Sequence, residues 1–210
     1  MSEIKLREQI ALIGKSLYDR GLAHGSAGNI SVKLPDGWLM TPTNSSMGRL
    51  DPARISRLDA NGKLVSGDKP SKETFLHIAM YRERATAGAV VHLHSVHAVA
   101  ISCLDDIDPN DVFPPLTAYA IMQVGRLALV RYYPPGDETL ANAVGKLAGK
   151  HHAVLLANHG PVVAGSSLDA AVNAVEELEQ TAKLMLLLRG HSLRLLTGEQ
   201  VVDLNRRFPS

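Results

Sequence analysis

The chain predicts an α/β fold, and three observations carry that expectation. Short apolar runs such as Ala89-Val90-Val91-His92-Leu93-His94 and Ala153-Val154-Leu155-Leu156-Ala157 read as buried strands. Between them lie longer stretches whose apolar residues recur at helical spacing, the longest from Leu168 to Arg189. Pro35-Asp36-Gly37 and Asn61-Gly62 mark tight turns of the kind that join paired strands. With 210 residues, the chain is long enough to bury a sizeable core.

In order, Ile4, Ile10, Ile13 and Leu17 predict an amphipathic helix over 4–20, with Gly21 as its C-cap. A turn of small residues follows, His24-Gly25-Ser26-Ala27-Gly28-Asn29, whose bare backbone amides and Asn29 side chain suit an anion. Ile30–Leu34 and Trp38–Met40 flank the first turn as a hairpin, and Thr41-Pro42-Thr43-Asn44-Ser45-Ser46 is a loop dense in hydroxyls and amides. Asp51-Pro52 reads as an N-cap and first helical residue, opening a short helix to about Leu58. Ser71 is placed to cap a helix bearing Phe75, Ile78 and Ala79, with Ser71, Lys72 and Glu73 in its first turn. Ser95 caps a further helix through Cys103, and Asp105–Pro115 is a proline-rich loop followed by Tyr119. Leu127–Tyr132 reads as a strand stopped by Pro134-Pro135-Gly136, and Asp137 caps a helix to about Gly149. After the 153–157 strand, Asn158-His159-Gly160-Pro161 makes a turn into Val162–Ala164, and Glu199–Arg206 is expected as a short polar tail.

The chemistry concentrates in the histidines. Side chains alternate across a strand, so His92 and His94 face the same way. Two readings compete: a pair of hydrogen-bonded core histidines, or half of a metal site. His159, squeezed into a Gly-Pro turn at a strand end, is aimed rather than merely packed. Glu73 adds a carboxylate at a helix start, where glutamate is favoured in any case. Three histidines with an open fourth position suit a catalytic zinc ion rather than a structural one. The hydroxyl- and amide-rich segments around Asn29, Thr43–Ser45 and Ser71–Lys72 suit a phosphate, so the pair suggests a phosphorylated sugar or sugar acid.

Bulk properties narrow the rest. A net charge of +1 without a basic tract argues against a nucleic-acid surface. Cys103 is the single cysteine, so no internal disulfide forms and a reducing compartment is expected. Met1–Arg20 is charged throughout and no long apolar run follows, so neither a signal peptide nor a membrane span is expected, and the cytoplasm is the expected location.

Gly28-Asn29-Ile30-Ser31, Thr41-Pro42-Thr43, Pro70-Ser71-Lys72-Glu73, His92-Leu93-His94 and Asn158-His159-Gly160 occur in an order that resembles the class II aldolase/adducin-type family. The resemblance spans about Gly21 to Leu188 and implies one domain over 1–210: a three-layer α/β/α sandwich on a mainly antiparallel sheet, assembled as a homotetramer with sites between subunits. It implies Zn2+ or another divalent metal on His92, His94 and His159, with Glu73 as acid/base and occasional ligand. It also implies a phosphate cradle at Asn29, Thr43, Asn44, Ser71 and Lys72, with Tyr119 as second candidate for proton handling. Ser66–Glu73, Leu155–Val163 and Glu176-Glu177-Leu178-Glu179 look most like the branch that decarboxylates phosphorylated four-carbon 3-oxo sugar acids, whereas the aldolases carry Ser-Ser-Glu where this chain has Ser71-Lys72-Glu73. The expected reaction breaks the bond to the carboxylate and leaves the electron pair as an enediolate, which a Lewis acid stabilises. An aldolase or 4-epimerase on a related sugar phosphate would use the same metal, and a non-catalytic scaffold would lack the site.

Overall fold

The structure, a computed structural model, describes residues 2–134 and 136–208. Eight strands form one sheet in the order β4-β3-β2-β1-β5-β8-β7-β6, antiparallel throughout except for the parallel pair β6–β7. The strands are β1 (Asn29–Leu34), β2 (Gly37–Met40), β3 (Ser56–Asp59), β4 (Leu64–Ser66), β5 (Ala89–His92), β6 (Ala128–Val130), β7 (Ala153–Leu156) and β8 (Gly160–Gly165). The helices are α1 (Glu3–Asp19), α2 (Thr74–Glu83), α3 (Val96–Ser102), α4 (Ala118–Gln123), α5 (Thr139–Ala148), α6 (Leu168–Leu187) and α7 (Gly198–Arg207).

The continuous apolar strands are explained by burial on both faces. Ala89, Val91 and Leu93 pack with Ile10 and Leu17 of α1, Ala98 and Ile101 of α3, and Val175 and Leu178 of α6. Val90, on the opposite face, packs with Leu76 and Met80 of α2 and Leu140 and Val144 of α5. The period-2 alternation therefore hands His92 to the α2/α5 side of a three-layer α/β/α arrangement. Among the described residues no helix is long and apolar enough to cross a membrane.

Several local expectations shift. The helix expected over 51–58 is a single 3-10 turn, Pro52–Arg54, before β3 begins. Asp51 caps it as expected, accepting from Ala53 N, but Ser56 and Leu58 are buried alternately and pair with β2, so sheet partners win over local capping. Strand β5 stops at His92 and β6 at Val130, leaving His94 and Tyr132 in the loops beyond. Asp137 accepts from Thr139 N and Oγ1, one residue ahead of the N-cap Glu138. Pro135, within the expected stop after β6, lies outside the described residues. The expected polar tail is helix α7, opened by a capping box between Thr197 and Gln200.

Candidate metal centre

Three chain segments converge at one end of the sheet. His92 ends β5, His94 follows two residues on, and His159 sits in the β7–β8 turn. Antiparallel pairing of β5 with β8 places His92 opposite Val162, which brings that turn alongside Leu93 and His94. The turn requires its glycine: at φ +154° a Cβ on Gly160 would stand 2.2 Å from the Leu93 carbonyl oxygen. Asn158 enters the turn with a positive φ of 57°.

The Nε2 atoms of His92 and His94 lie 3.0 Å apart, and those of His94 and His159 3.1 Å apart. Glu73 reaches the same point from the start of α2, with Oε1 3.2 Å from His159 Nε2 and Oε2 3.5 Å from His92 Nε2. One ligand atom from each of the four residues lies within 4.8 Å of every other. Ser71, expected to cap α2, does not: α2 starts three residues later with Glu73 at the N-cap position and making no side-chain cap. Ser71 Oγ instead accepts from Glu73 N, and the Ser71 carbonyl from Thr74. The carboxylate is thereby left free to face the imidazoles.

The electrostatics suit a cation. Burial holds the His92 imidazole below its usual pKa and pulls His94 down to about 3, which favours the unprotonated form that ligates a metal. His92 Nδ1 donates to the Pro161 carbonyl, which leaves Nε2 as a bare lone pair. Burial alone would raise Glu73, but the imidazoles of His92 and His159 and the Asn29 amide outweigh it and hold the carboxyl below its ordinary range. Three Nε2 atoms drawn to about 3 Å from one to the next carry lone pairs that would ligate an ion among them. Three nitrogens and a carboxylate are a donor set that fits a divalent metal.

A hollow of about 530 Å3 opens over this cluster, lined by His24, Glu73, His94, Tyr132, Tyr133 and His159 among others. His24 and the two tyrosines are not singled out by sequence reasoning. The signal for Tyr132 and Tyr133 lies in topology: β6 runs parallel to β7, so the residues beyond β6 arrive at the same end as His159. Tyr119 is 64% exposed on α4 and does not line the hollow.

The expected phosphate residues separate into two groups. Asn29 is buried beside the centre, its Nδ2 donating to Glu73 Oε2 at 2.8 Å. Thr43 and Asn44 line another hollow of about 230 Å3, with Arg49 and Arg54. The loops are nonetheless tied together: Thr43 N donates to the Lys69 carbonyl, Ser71 N to the Thr41 carbonyl, and Pro42 bridges to Pro70. Ser95, expected to cap α3, occupies the N-cap without a side-chain bond. Glu179 of α6 performs that task, accepting from the backbone amides of His97 and Ala98.

Residues 8–186 match the family described as the Class II Aldolase and Adducin N-terminal domain. A 3-oxo-tetronate 4-phosphate decarboxylase of Escherichia coli O6:H1 is 50% identical over 203 residues, 96% of this chain and 96% of that protein. An L-fuculose phosphate aldolase of Haemophilus influenzae is 33% identical over 203 residues, covering 96% of this chain and 92% of that protein. The crystal structure of YgbL from Escherichia coli superimposes with a TM-score of 0.94 at 48% identity, covering 96% of this chain and 98% of the other.

Proposed function

The chain belongs to the class II aldolase and adducin family, and from that premise we propose that it is a metal-dependent carbon–carbon lyase that decarboxylates a 3-oxo-tetronate 4-phosphate to dihydroxyacetone phosphate. The observation that carries this reading is the convergence of His92, His94, His159 and Glu73 within 4.8 Å, in a chain 50% identical to such a decarboxylase over 96% of its length. The three imidazoles would hold the metal, with Glu73 at its edge, and zinc suits the nitrogen-rich set. When bound, the metal supplies a Lewis acid for the negative charge that develops on the substrate's C3 carbonyl oxygen.

The chain's own residues then have definable tasks. The bond from C2 to the carboxylate breaks, its electron pair moves toward the C3 carbonyl, and carbon dioxide leaves. One proton must reach C2 to complete the hydroxymethyl group of the product. The Glu73 carboxyl is held below its ordinary range, so it carries that proton only after taking one from solvent that enters the hollow. Asn29 orients the Glu73 carboxylate during this transfer. Ser71, Lys72 and the Thr43–Asn44 loop would hold the phosphate and keep the scissile bond aligned. In a homotetramer with sites between subunits, the exposed Tyr119 would serve a neighbour's hollow rather than its own. The expected location is the cytoplasm.

An aldolase would share the intermediate charge and release an aldehyde instead, and the fuculose-phosphate aldolase relatives keep that alternative in view. The deciding assay supplies racemic 3-oxo-tetronate 4-phosphate and fuculose 1-phosphate and measures carbon dioxide and aldehyde separately. Carbon dioxide is expected from the first and no aldehyde above background from the second. The reverse pattern overturns the decarboxylase reading.

Lys72→Ala tests the phosphate assignment. Losing one charged contact to phosphate is expected to cost about 1.5–3 kcal/mol of binding, roughly a 10- to 100-fold rise in KM. Because the contact is remote from the bond that breaks, kcat should change much less. If the variant loses as much affinity for the unphosphorylated sugar acid, Lys72 does not bind phosphate.

A further inference from the structure

A buried file of polar side chains runs back from the metal centre between β1 and α2. On β1, Asn29 and Ser31 share one face by strand alternation; on α2, His77 and Tyr81 share one face by helical spacing. The two faces meet. Asn29 Oδ1 lies 2.6 Å from His77 Nε2, Ser31 Oγ lies 2.7 Å from His77 Nδ1, and Tyr81 Oη lies 2.8 Å from Ser31 Oγ. All four residues are at most 5% exposed, so water does not compete for these bonds.

The directions of the bonds follow from one fact. Asn29 Nδ2 donates to Glu73 Oε2, so its Oδ1 faces away from the carboxylate. Oδ1 only accepts, so His77 must carry its proton on Nε2. Neutral His77 then has a lone pair on Nδ1, which takes the Ser31 hydroxyl proton, and Ser31 accepts from Tyr81. Burial pulls His77 down to about 3, consistent with the single-proton form this order needs. Every donor in the file thus points toward Glu73. Were the Asn29 amide to flip, its carbonyl would face the carboxylate and its N–H2 would face the His77 N–H, leaving two buried contacts repulsive.

We propose that His77, which touches none of the ligand atoms, is a positioning residue that locks the Asn29 amide and through it aims the Glu73 carboxylate at the imidazole cluster. The assignment rests on the metal-centre reading above and extends it to residues that no part of the reaction uses directly.

The test is the affinity for Zn2+ alone, measured by competition with a chromophoric chelator. His77→Phe keeps the ring and removes the donor, and is expected to weaken binding about 10-fold, the lower end for residues that orient metal ligands. His77→Gln places an amide N–H near the former Nε2 and should restore affinity to within about 3-fold of the parent. In a Glu73→Ala background, which has no carboxylate to aim, His77→Phe should have no further effect. Ser31→Ala, a smaller disturbance, should weaken binding about 3-fold in the parent and not at all in Glu73→Ala; it decides the matter if His77→Phe does not fold. Equal losses with and without Glu73, or no rescue by Gln, overturn the assignment alone. A parent protein that binds no Zn2+ overturns the metal-centre reading and this assignment with it.

Discussion

His94→Ala is expected to leave the chain folded, free of tightly held metal, and slower in releasing carbon dioxide by at least about 10³-fold. Its Nε2 stands 3.0 Å from that of His92 and 3.1 Å from that of His159, so it links the other two ligands. Without it, His92 and His159 remain with Glu73, a set whose geometry no longer encloses an ion. Removing one preorganised stabiliser of developing charge typically costs about 10² to 10³ in rate, and here the whole stabilising charge goes with the ligand. The fold should survive because His94 lies beyond the end of β5 and borders the hollow, and its loss opens no cavity in either apolar core. The measurements are metal content after dialysis, thermal unfolding and carbon dioxide release. Chelator treatment of the parent should reproduce the rate loss, and added Zn2+ should restore the parent but not the variant. A metal-free parent that remains fully active would sink the proposed mechanism.

Glu73→Gln is expected to retain one metal per chain at saturating Zn2+ and to lose about 10² to 10⁴ in rate, the usual worth of a positioned acid/base. The substitution preserves shape and removes the group that takes and gives the proton. It also removes the charge that three neighbours have arranged themselves around, since Asn29 donates to it and His92 and His159 flank it. The decisive readout is deuterium incorporation from solvent into the hydroxymethyl carbon of dihydroxyacetone phosphate. If Glu73→Gln delivers that hydrogen at the parental rate, Glu73 is not the proton carrier. Tyr132 and Tyr133, which line the hollow, and Tyr119, which does not, would then be separated by single Phe substitutions.

Much of the centre is legible in the amino-acid order because its determinants are local. Alternation read along the apolar run puts His92 and His94 on one face, and although β5 ends at His92 the two Nε2 atoms still meet at 3.0 Å, with His92 held by the bond from its Nδ1 to the Pro161 carbonyl. The Asn158-His159-Gly160-Pro161 turn announces itself by composition, and the 2.2 Å approach of a hypothetical Gly160 Cβ to the Leu93 carbonyl oxygen gives the reason for its glycine. The helices α1 and α6 follow from apolar spacing, with both ends close to expectation.

What the tertiary structure decided is which distant groups meet. Asn29 reads as part of an anion turn, yet its amide is held between Glu73 and His77 because β1 lies under α2. Ser95 and Ser71 look like helix caps, but Glu179 from α6 caps α3, and α2 begins past Ser71. The segment after Asp51 looks helical and becomes β3, because β2 offers a partner for its backbone. Tyr132 and Tyr133 reach the hollow only because β6 is parallel to β7. Periodicity and turn chemistry act over a few neighbouring residues and can be read directly. Hydrogen-bond partners drawn from separate elements depend on sheet order and helix placement, which the whole chain settles together.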